Sequence, residues 1–356
     1  MKIAVVGAGP CGLLFSRLAA EQGNHVLLLE EHQRLGLPRH CTGLVSSDVF
    51  NLYGVTRSEV PILSSFKEGQ AKMGNKTLTA RFSQEVVAID RVAFEEVLGR
   101  KAAEAGVSLQ LGSHASASRS DGVQMEISFT SGGSRHVAFA DLVVDCAGAT
   151  SGMAGLQYLV RGRGPNWPQV FLEAEAPREL FYWIVPQSSE KYLVGTASSQ
   201  NPAQKLEKFL SSREAAGYLK VEGRISTMAG TVVIGPSSPI SSRFQGALAA
   251  GDAGGHVKYT SGGGLIFGAL SAAALAESLE RPNPRESYLK WSRKRSMQLR
   301  AYLALRQAYK FAPRHVLERL FSEEVQDYLL LHEVPYDDHV GFFKGHAFGL
   351  LAAVLS

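Results

Sequence analysis

The amino-terminal residues have the hydrophobic pattern of a strand, a helix and a second strand. Residues 2–6 form a short apolar run that ends at Gly7, which is typical of a buried parallel strand. A helix is predicted for residues 10–22, and a second buried strand is predicted for residues 25–30. This order is the beginning of a parallel sheet with a crossover helix.

Farther along, the pattern alternates between strands, turns and helices. Glycine-containing turns at 74–75 and 131–133 separate two predicted strand pairs, 67–73 with 76–82 and 123–129 with 136–139. The other predicted strands are 107–111, 142–145, 170–176, 181–186, 192–197 and 247–250, and a helix is expected over 91–105. Residues 36–46 are polar and predict a loop, whereas the chain beyond residue 283 predicts helices.

These elements predict an α/β fold with a Rossmann-like domain, an interleaved β-sheet domain and a helical carboxyl-terminal region. We expect the Rossmann-like domain over residues 1–66, 84–165 and 245–282. The β-sheet domain is expected over residues 67–83 and 166–244, and the helical region over residues 283–356.

The composition indicates a globular protein with a packed core but does not indicate which reaction it catalyses. The chain has 356 residues with 45% hydrophobic and 20% charged residues, so a packed core is expected. Its net charge of +4 comes from dispersed lysines and arginines, and no nucleic-acid partner is predicted. Three cysteines without paired spacing argue against a disulfide framework and a metal site. Since no signal pattern precedes the first strand, we expect a cytoplasmic protein.

The turn after the first strand has the GxGxxG pattern of dinucleotide-binding folds. Gly7 permits the tight turn, Gly9 lets a pyrophosphate approach the backbone, and Gly12 lets the helix pack against the strand. Pro10 and Cys11 begin the helix, whose free N–H groups and dipole favour the phosphates. The alternative is a glycine-rich turn without a ligand.

Glu30 lies at the end of the second predicted strand, where its carboxylate can accept hydrogen bonds from an adenosine ribose. Its negative charge would oppose a 2′-phosphate. The first nucleotide site is therefore predicted to bind FAD or NAD and not NADP.

A second glycine-rich segment favours FAD over NAD. Its glycines are Gly251, Gly262, Gly263 and Gly264. Asp252 can accept hydrogen bonds from a ribityl chain, and a helix beginning near Gly264, followed by Leu265, would direct its N–H groups at a flavin. The alternative is a purely structural strand, turn and helix.

The chain resembles the geranylgeranyl reductase family within the wider hydroxylase-like flavoproteins of the glutathione-reductase type. Four pieces carry the resemblance: Gly7 to Gly12 with Glu30, Pro38-Arg39-His40-Cys41-Thr42-Gly43, Asp90-Arg91 with Phe94 and Leu98, and Gly251-Asp252 with Gly262 to Gly264. The resemblance implies an FAD enzyme in which the helical region follows the two interleaved domains.

The resemblance also implies roles for individual residues. Arg39, Cys41, Thr42 and Gly43 would lie near the cofactor, with Cys41 close to the isoalloxazine ring. Arg91 would contact the FAD, and Ala115 would approach its adenine end. The alternatives are an inert thiol for Cys41 and a surface ion pair with Glu95 for Arg91.

A strand of the second domain is similar to the YxWxFP…VG pattern of the same family. Phe181, Trp183, Val185, Pro186 and Gly195 occupy its positions and are the predicted substrate residues. Phe181 and Val185 depart from the pattern but keep the strand apolar. The alternative is a core strand with buried aromatic residues.

The resemblance implies hydride reduction of C=C bonds in a polyprenyl chain, such as the geranylgeranyl group of a lipid or lipid precursor. His256 and Cys41 are candidate proton donors, although a single histidine is more often structural. The electron donor would be NAD(P)H or a ferredoxin-like protein.

Three other functions stay open. A flavin monooxygenase or halogenase shares the cofactor segments, but Ala147 stands where hydroxylases usually carry an acid. An electron-transfer flavoprotein that reduces a quinone or a partner protein is the second, and a flavoprotein without turnover is the third.

Two apolar segments bear on membranes. Residues 259–276 open with glycines and predict a buried helix, whereas residues 347–355 are too short to span a bilayer. This tail either packs under the helices or lies on a membrane. Since a lipid substrate requires access to the bilayer, we expect peripheral contact at the inner face of the membrane.

Overall fold

The computed structural model describes residues 1–120, 124–149, 151–173 and 178–355, which form sixteen strands, ten α-helices and one 3₁₀ helix. The strands are β1 (Lys2–Val6), β2 (His25–Leu29), β3 (Leu44–Ser46), β4 (Ile62–Met73), β5 (Lys76–Ile89), β6 (Ser108–Gln110), β7 (Ser113–Ser120), β8 (Met125–Ser131), β9 (Ser134–Ala140), β10 (Leu142–Asp145), β11 (Met153–Arg163), β12 (Gln169–Phe171), β13 (Tyr182–Pro186), β14 (Lys191–Ser198), β15 (Lys220–Val232) and β16 (Leu248–Ala249). The α-helices are α1 (Pro10–Glu21), α2 (Asp48–Tyr53), α3 (Arg91–Glu104), α4 (Pro202–Leu210), α5 (Arg213–Ala216), α6 (Leu265–Leu279), α7 (Pro284–Phe311), α8 (Arg314–Leu320), α9 (Glu323–Leu331) and α10 (His339–Leu355), and the 3₁₀ helix is Gly251–Gly254.

The first sheet has the strand order β16-β10-β1-β2-β6, and all its pairs are parallel. In the register, Val5 of β1 lies between Leu28 of β2 and Val144 of β10, and all three side chains are fully buried. Burial on both faces explains why these strands are continuous apolar runs without alternation. We call this sheet the parallel sheet.

Two layers cover the parallel sheet. Helices α1, α3 and α6 lie on one face, where Phe15 and Leu275 pack against Leu28 and its neighbours. The three-stranded antiparallel sheet β7-β8-β9 covers the other face and contributes Ile127 and Phe129. The Rossmann-like α/β fold predicted from the sequence is thereby confirmed, and the carboxyl edge of the sheet is the expected place for a ligand.

The second large sheet has the order β15-β11-β14-β13-β12-β4-β5-β3, with β12 and β4 as its parallel pair. We call it the mixed sheet. Ile184 and Val194 face α4 and pack against Leu206 and Phe209. The opposite face carries a smaller apolar cluster around Val185, which is described with the site below.

Several predicted elements needed correction. The predicted loop 36–46 ends in β3, and the strands β7, β11 and β15 were not predicted. β7 is rich in serine, and β15 is a largely exposed edge strand, so neither has a hydrophobic signal; pairing with a neighbour decides their conformation. The predicted strand 170–176 is observed as Gln169–Phe171, while residues 123 and 174–176 lie outside the described residues.

The mixed sheet also recruits strands from outside the predicted range of 67–83 plus 166–244. β3 and β11 are the clearest cases, since β11 pairs with both β14 and β15. The division of the chain into domains itself stays a prediction.

The carboxyl-terminal region consists of α7 to α10, as predicted, and α7 packs against α6. The uncharged stretch 259–276 is a loop up to Gly264 and a helix from Leu265 onwards. Among the described helices, none has both the length and the apolar character that crossing a bilayer demands.

Candidate active site

The parallel sheet brings the two glycine-rich segments together. Gly7 follows β1, Glu30 follows β2, Cys146 follows β10, and Gly251 comes shortly after β16. Parallel strands present their carboxyl ends at one edge, so residues from distant parts of the chain become neighbours there. A Cβ placed on Gly251 would lie 3.0 Å from Cys11 Sγ, which shows that the segments are in contact.

The backbone of the first turn leaves space where a pyrophosphate would approach. Gly7 has a φ of +95°, and a Cβ there would lie 2.6 Å from the Cys146 carbonyl oxygen. A Cβ on Gly12 would overlap the Gly7 carbonyl oxygen, so helix and turn pack closely. No atom lies within 4 Å of a Cβ placed on Gly9, and Pro10 begins α1 directly after it. These three positions match the three roles expected from the pattern.

Glu30 is fixed beside this turn. Its Oε2 accepts a hydrogen bond from Ala8 N at 2.8 Å, and its Oε1 accepts one from His32 N at 2.9 Å. The His32 ring Nδ1 also lies 2.6 Å from Oε1. A carboxylate has roughly four acceptor positions, so capacity remains for a ribose hydroxyl.

The second glycine segment places Asp252 at the amino terminus of α6. Gly264 caps that helix, and a Cβ on Gly264 would lie 2.5 Å from Asp252 Oδ1, so a larger residue would displace the carboxylate. Burial raises the pKa of Asp252, while the nearby His40 and Arg91 act in the opposite direction. Gly262 has a φ of +73° and abuts Val232, and Gly263 contacts Lys258, so the loop before Leu265 is tightly packed.

The segment from Arg39 to Gly43 lies between the two sheets. Gly43, with a φ of +71°, is pressed against the Ile89 carbonyl, and its N–H donates to Cys41 Sγ at 3.4 Å. Thr42 Oγ1 accepts from Leu44 N at 3.3 Å. Arg39 pairs with Asp90, whose carboxylate caps α3, at 3.3 Å. The segment therefore holds Cys41 next to the start of α3.

Arg91 is buried, and its partner is Glu95 one helical turn later. The ion pair that was the alternative to a cofactor contact exists, but it is not at the surface, since its side chains are only 12% and 7% exposed. Burial lowers the pKa of Arg91, but Glu95 and Cys41 more than offset this effect and raise it overall. Within the described residues, Arg91 Nε has no hydrogen-bond partner, which leaves a buried donor for a ligand.

Ala115 lies in β7 opposite Phe129. It packs against the cluster that contains Val6 and Leu29, the last residues of β1 and β2. This position is at the carboxyl edge of the parallel sheet, on the side of Glu30.

A buried polar group that was not predicted from the sequence joins the carboxyl-terminal region to this site. Lys258 is 2% exposed, and its Nζ donates to the Tyr336 carbonyl oxygen at 2.7 Å and pairs with Asp337 at 3.1 Å. Asp337 also accepts from Ser46 N of β3 at 3.2 Å. Tyr336 lies within electrostatic range of Cys41. A lysine in a glycine-rich apolar segment was the available signal, because a buried ammonium needs a partner.

His256 is fully buried behind the site. Its ring nitrogens lie 3.0 Å from Ser271 Oγ and 2.9 Å from Ser292 Oγ, in α6 and α7. Burial lowers its pKa to about 4, and Arg295 acts in the same direction. Both nitrogens are engaged with the protein, so the geometry favours the structural alternative over the role of proton donor.

The predicted substrate strand places Trp183 against Gly195 of the neighbouring strand. A Cβ on Gly195 would overlap the Trp183 ring, and Trp183 Nε1 donates to Gln157 Oε1 at 3.3 Å. Phe181 contacts Trp183 edge to face, with ring centroids 6.2 Å apart. Pro186 ends the strand and lies on the opposite face from Trp183 and Val185.

An apolar wall joins this strand to the segment that carries Cys41. Val185, Leu193 and Met228 form a buried cluster, and Trp183 and Leu44 pack against it. Leu44 comes directly after Gly43 in the chain. The mixed sheet thus places an apolar cluster next to the predicted flavin segment, and Trp183 and Leu44 are its partly exposed members.

Comparisons with known proteins agree with this architecture. The model of a family described as FAD dependent oxidoreductase matches residues 2–209. Digeranylgeranylglycerophospholipid reductase 1 of Methanopyrus kandleri is 27% identical over 325 residues, covering 81% of this chain and 84% of that protein.

Solved structures show the same fold. A geranylgeranyl bacteriochlorophyll reductase-like protein from Thermoplasma acidophilum superposes with a TM-score of 0.79 at 18% identity, over 97% of this chain and 98% of the other. The flavin-dependent brominase Bmp2 gives a TM-score of 0.68 at 15% identity, over 93% of each chain. The resemblance to geranylgeranyl reductases predicted from the sequence is confirmed, and the brominase is a relative in fold.

Proposed function

Because the chain belongs to the FAD dependent oxidoreductase family, we propose that it saturates C=C bonds in a polyprenyl chain, such as the geranylgeranyl group of a lipid or lipid precursor. The observation that carries this proposal is the apolar wall of Trp183, Val185 and Leu193, which meets Leu44 beside the Cys41 segment. Val185 and Leu193 are buried, but Trp183 and Leu44 are only partly buried at the edge of the wall, where a hydrocarbon chain gains free energy by leaving water to contact them. The name of the M. kandleri relative supports a polyprenyl lipid as the substrate class.

The residues at the carboxyl edge fit an FAD cofactor. In our proposal, the backbone at Gly9 and the start of α1 bind the pyrophosphate, and Glu30 binds the adenosine ribose. Asp252 and the start of α6 face the ribityl chain and flavin, and the unpaired Nε of Arg91 donates to the cofactor. Reduced FAD, when bound, supplies the hydride for the reaction.

Reduction of an isolated alkene also needs a proton at the second carbon. We assign its delivery to the Cys41 thiol, which accepts from Gly43 N and so keeps its own S–H free to donate. His256 is engaged by two serines and does not take this role in our proposal. Lys258 and Asp337 hold Tyr336 near the thiol, where the ring excludes water from the transfer.

The decisive test is anaerobic. The bound flavin is reduced with dithionite, geranylgeranyl lipids are added, and the products are analysed by mass spectrometry. The proposal expects a gain of about 2 Da for each reduced bond. The variant Cys41→Ala is expected to keep its FAD and lose the mass gain, while Cys146→Ala, which removes a buried thiol and leaves the partly buried Cys41 in place, serves as the control.

Two other results would replace the proposal. Product formation that requires oxygen and NAD(P)H would favour a monooxygenase or halogenase. Rapid reoxidation of the flavin by a quinone or a carrier protein, with unchanged lipid, would favour electron transfer.

We further propose a peripheral contact with the membrane at its inner face, because a polyprenyl lipid must reach the apolar wall from a bilayer. Co-sedimentation with vesicles that contain the lipid substrate tests this contact.

The two classes of electron donor, NAD(P)H and a ferredoxin-like protein, are distinguished by which of them reduces the bound flavin under anaerobic conditions.

A further inference from the structure

A cavity of about 540 Å³ opens on the mixed sheet, away from the candidate active site. Its lining includes Gln70, Lys72, Arg163, Trp167, Gln169 and Tyr218. Gln169 pairs with Ile184 in the register, whereas the next residue, Val170, pairs with Trp183. Since side chains alternate along a strand, the cavity and the apolar wall of Trp183 lie on opposite faces of the sheet.

Two buried polar atoms of residues that line this cavity have no hydrogen-bond partner in the described part of the chain. Gln169 is 2% exposed; its Nε2 donates to Gln70 Oε1 at 3.0 Å, and Gln70 Nε2 donates to Thr79 Oγ1 at 3.4 Å. These two hydrogen bonds orient the side-chain amide of Gln169. They leave its Oε1 without a hydrogen bond to any described residue. Trp167 Nε1 is a buried donor that likewise has no hydrogen-bond partner among the described residues. Buried polar atoms are normally paired, so an unpaired acceptor and an unpaired donor in one cavity indicate a ligand.

The charge of the cavity is positive. Lys72 is 4% exposed, its Nζ donates to Thr77 Oγ1 at 3.0 Å, and it lies 4.3 Å from the centroid of the Tyr218 ring. Among the described residues, no carboxylate lies within ion-pair distance of Lys72, and burial lowers its pKa. Arg163 at the rim is 84% exposed and only loosely paired with Glu222, at 3.5 Å. A buried ammonium without a carboxylate favours an anionic ligand.

We propose that this cavity binds a phosphate monoester that carries a free hydroxyl group, with glycerol phosphate as the smallest example. Lys72 Nζ, Trp167 Nε1 and the Arg163 guanidinium donate to the phosphate oxygens, and Gln169 Oε1 accepts from the hydroxyl. Three donors suit a group with three terminal oxygens better than a carboxylate, which has two. The ligand is either a soluble ester or the headgroup of a lipid. Trp167 packs in the same apolar cluster as Leu44 and Tyr336, but none of the donors and acceptors named here has a role in the proposed function, so the inference does not rest on it.

Isothermal titration of the FAD-loaded protein tests the site. The probes are glycerol phosphate, glycerol, inorganic phosphate and glycerate, and glycerol phosphate is expected to bind tightest. Lys72→Met is expected to weaken its binding about tenfold or more, because a charge-assisted hydrogen bond is lost. Trp167→Phe, which removes one N–H and keeps an aromatic ring, is expected to weaken binding severalfold. Lys191→Met, at an exposed strand start, is the matched control and should bind as the unchanged protein does.

The outcomes decide both the site and its ligand. Absence of binding both by glycerol phosphate and by phosphatidylcholine vesicles that contain lysophosphatidic acid, a lipid phosphate monoester with a free hydroxyl, overturns the proposal, and so does binding that neither Lys72→Met nor Trp167→Phe weakens. Glycerate that binds as tightly as glycerol phosphate overturns the assignment of a phosphate. Binding of the soluble ester supports a soluble ligand, whereas retention on phosphatidylcholine vesicles that contain lysophosphatidic acid but not on phosphatidylcholine alone, lost in Lys72→Met, supports a lipid headgroup. Trp167→Phe keeps the test valid if Lys72→Met fails to fold.

Discussion

The parallel sheet and the mixed sheet place their functional residues by different means. At the carboxyl edge of the parallel sheet, the main chain itself does so: Gly7 turns with a φ of +95°, and Gly12 packs against its carbonyl. In the mixed sheet, Trp183 takes its position from partners on other strands, Gly195 beside it and Gln157 on β11. The glycine turn of the parallel sheet is determined by a few adjacent residues. The position of Trp183 depends instead on the register of neighbouring strands.

The two regions also differ in how deeply their ion pairs are buried. Arg91 and Glu95 beside the parallel sheet form a buried pair one helical turn apart. Arg224 and Glu207 in the mixed-sheet region form a pair whose side chains are 44% and 52% exposed. Buried charges depend on each other far more than exposed ones, so the two pairs should respond differently to the loss of one partner.

The largest effect is expected for Arg91→Met. The substitution leaves the Glu95 carboxylate buried without its partner and should cost about 3–5 kcal/mol of unfolding free energy. Arg224→Met, which breaks the exposed pair and a contact with the Tyr158 ring, should cost only about 1 kcal/mol. Urea unfolding of the two variants measures the difference. Equal costs would contradict the view that the cofactor region relies on buried charge.

The next largest effect is expected from a comparison of two glycines in the first turn, Gly12 and Gly9, each replaced by alanine. Gly12→Ala would place a Cβ onto the Gly7 carbonyl oxygen and should destabilise the protein by about 3 kcal/mol. Gly9→Ala meets no atom within 4 Å and has an ordinary φ of −71°, so the fold should keep its stability. Its methyl group would instead occupy the proposed path of the pyrophosphate. We therefore expect Gly9→Ala to lose bound FAD, measured by flavin absorbance, and to unfold at the same midpoint as the unchanged protein stripped of FAD, because bound FAD itself stabilises the folded state.

Because these constraints are local, the sequence predicted the cofactor region well. The strand before Gly7, the start of α1, the end of β2 and the start of α6 lie within one or two residues of their predicted positions. The two glycine segments were predicted to serve one cofactor, and Gly251 does contact Cys11. The boundaries of these elements follow from residues a few positions apart.

The remaining features could not be predicted because they depend on distant partners. β15 has mainly exposed residues and becomes a strand through pairing with β11. Lys258 reaches Asp337 in the connection between α9 and α10, and nothing near Lys258 in the sequence indicates that partner. Trp167 and Gln169 are close in the sequence, but Gln70 and Lys72 come beside them only through the pairing of β4 with β12.

Acid should weaken the cofactor region through His256. Its pKa is about 4 in the folded protein and 6.5 when exposed, because burial disfavours the charged ring. The unfolded chain therefore binds the extra proton first, and the stability that is present above pH 6.5 is lost as the pH falls towards 4. Between about pH 7.5 and about pH 5, this loss should be on the order of 2 kcal/mol.

The variant His256→Gln cannot take up that proton, so its unfolding free energy should depend less on pH by this amount. His339, whose pKa burial lowers to about 3, acts in the same direction and should account for part of the slope that remains. Urea titrations at the two pH values measure the slope. An identical slope in His256→Gln would show that His256 is not buried in its neutral form.

The smallest effect on stability should have the clearest effect on function. Gly195→Ala would press a methyl group into the Trp183 ring and should cost about 1–2 kcal/mol as the ring moves aside. Gly223→Ala lies in the same sheet, on edge strand β15, with no atom within 4 Å of its Cβ, and is the matched control. Both variants should retain FAD, because neither touches the parallel sheet. Only Gly195→Ala should lose prenyl reduction in the anaerobic assay, since the displaced indole disrupts the apolar wall. Full activity in that variant would show that Trp183 does not belong to the substrate site and that the wall is part of the hydrophobic core.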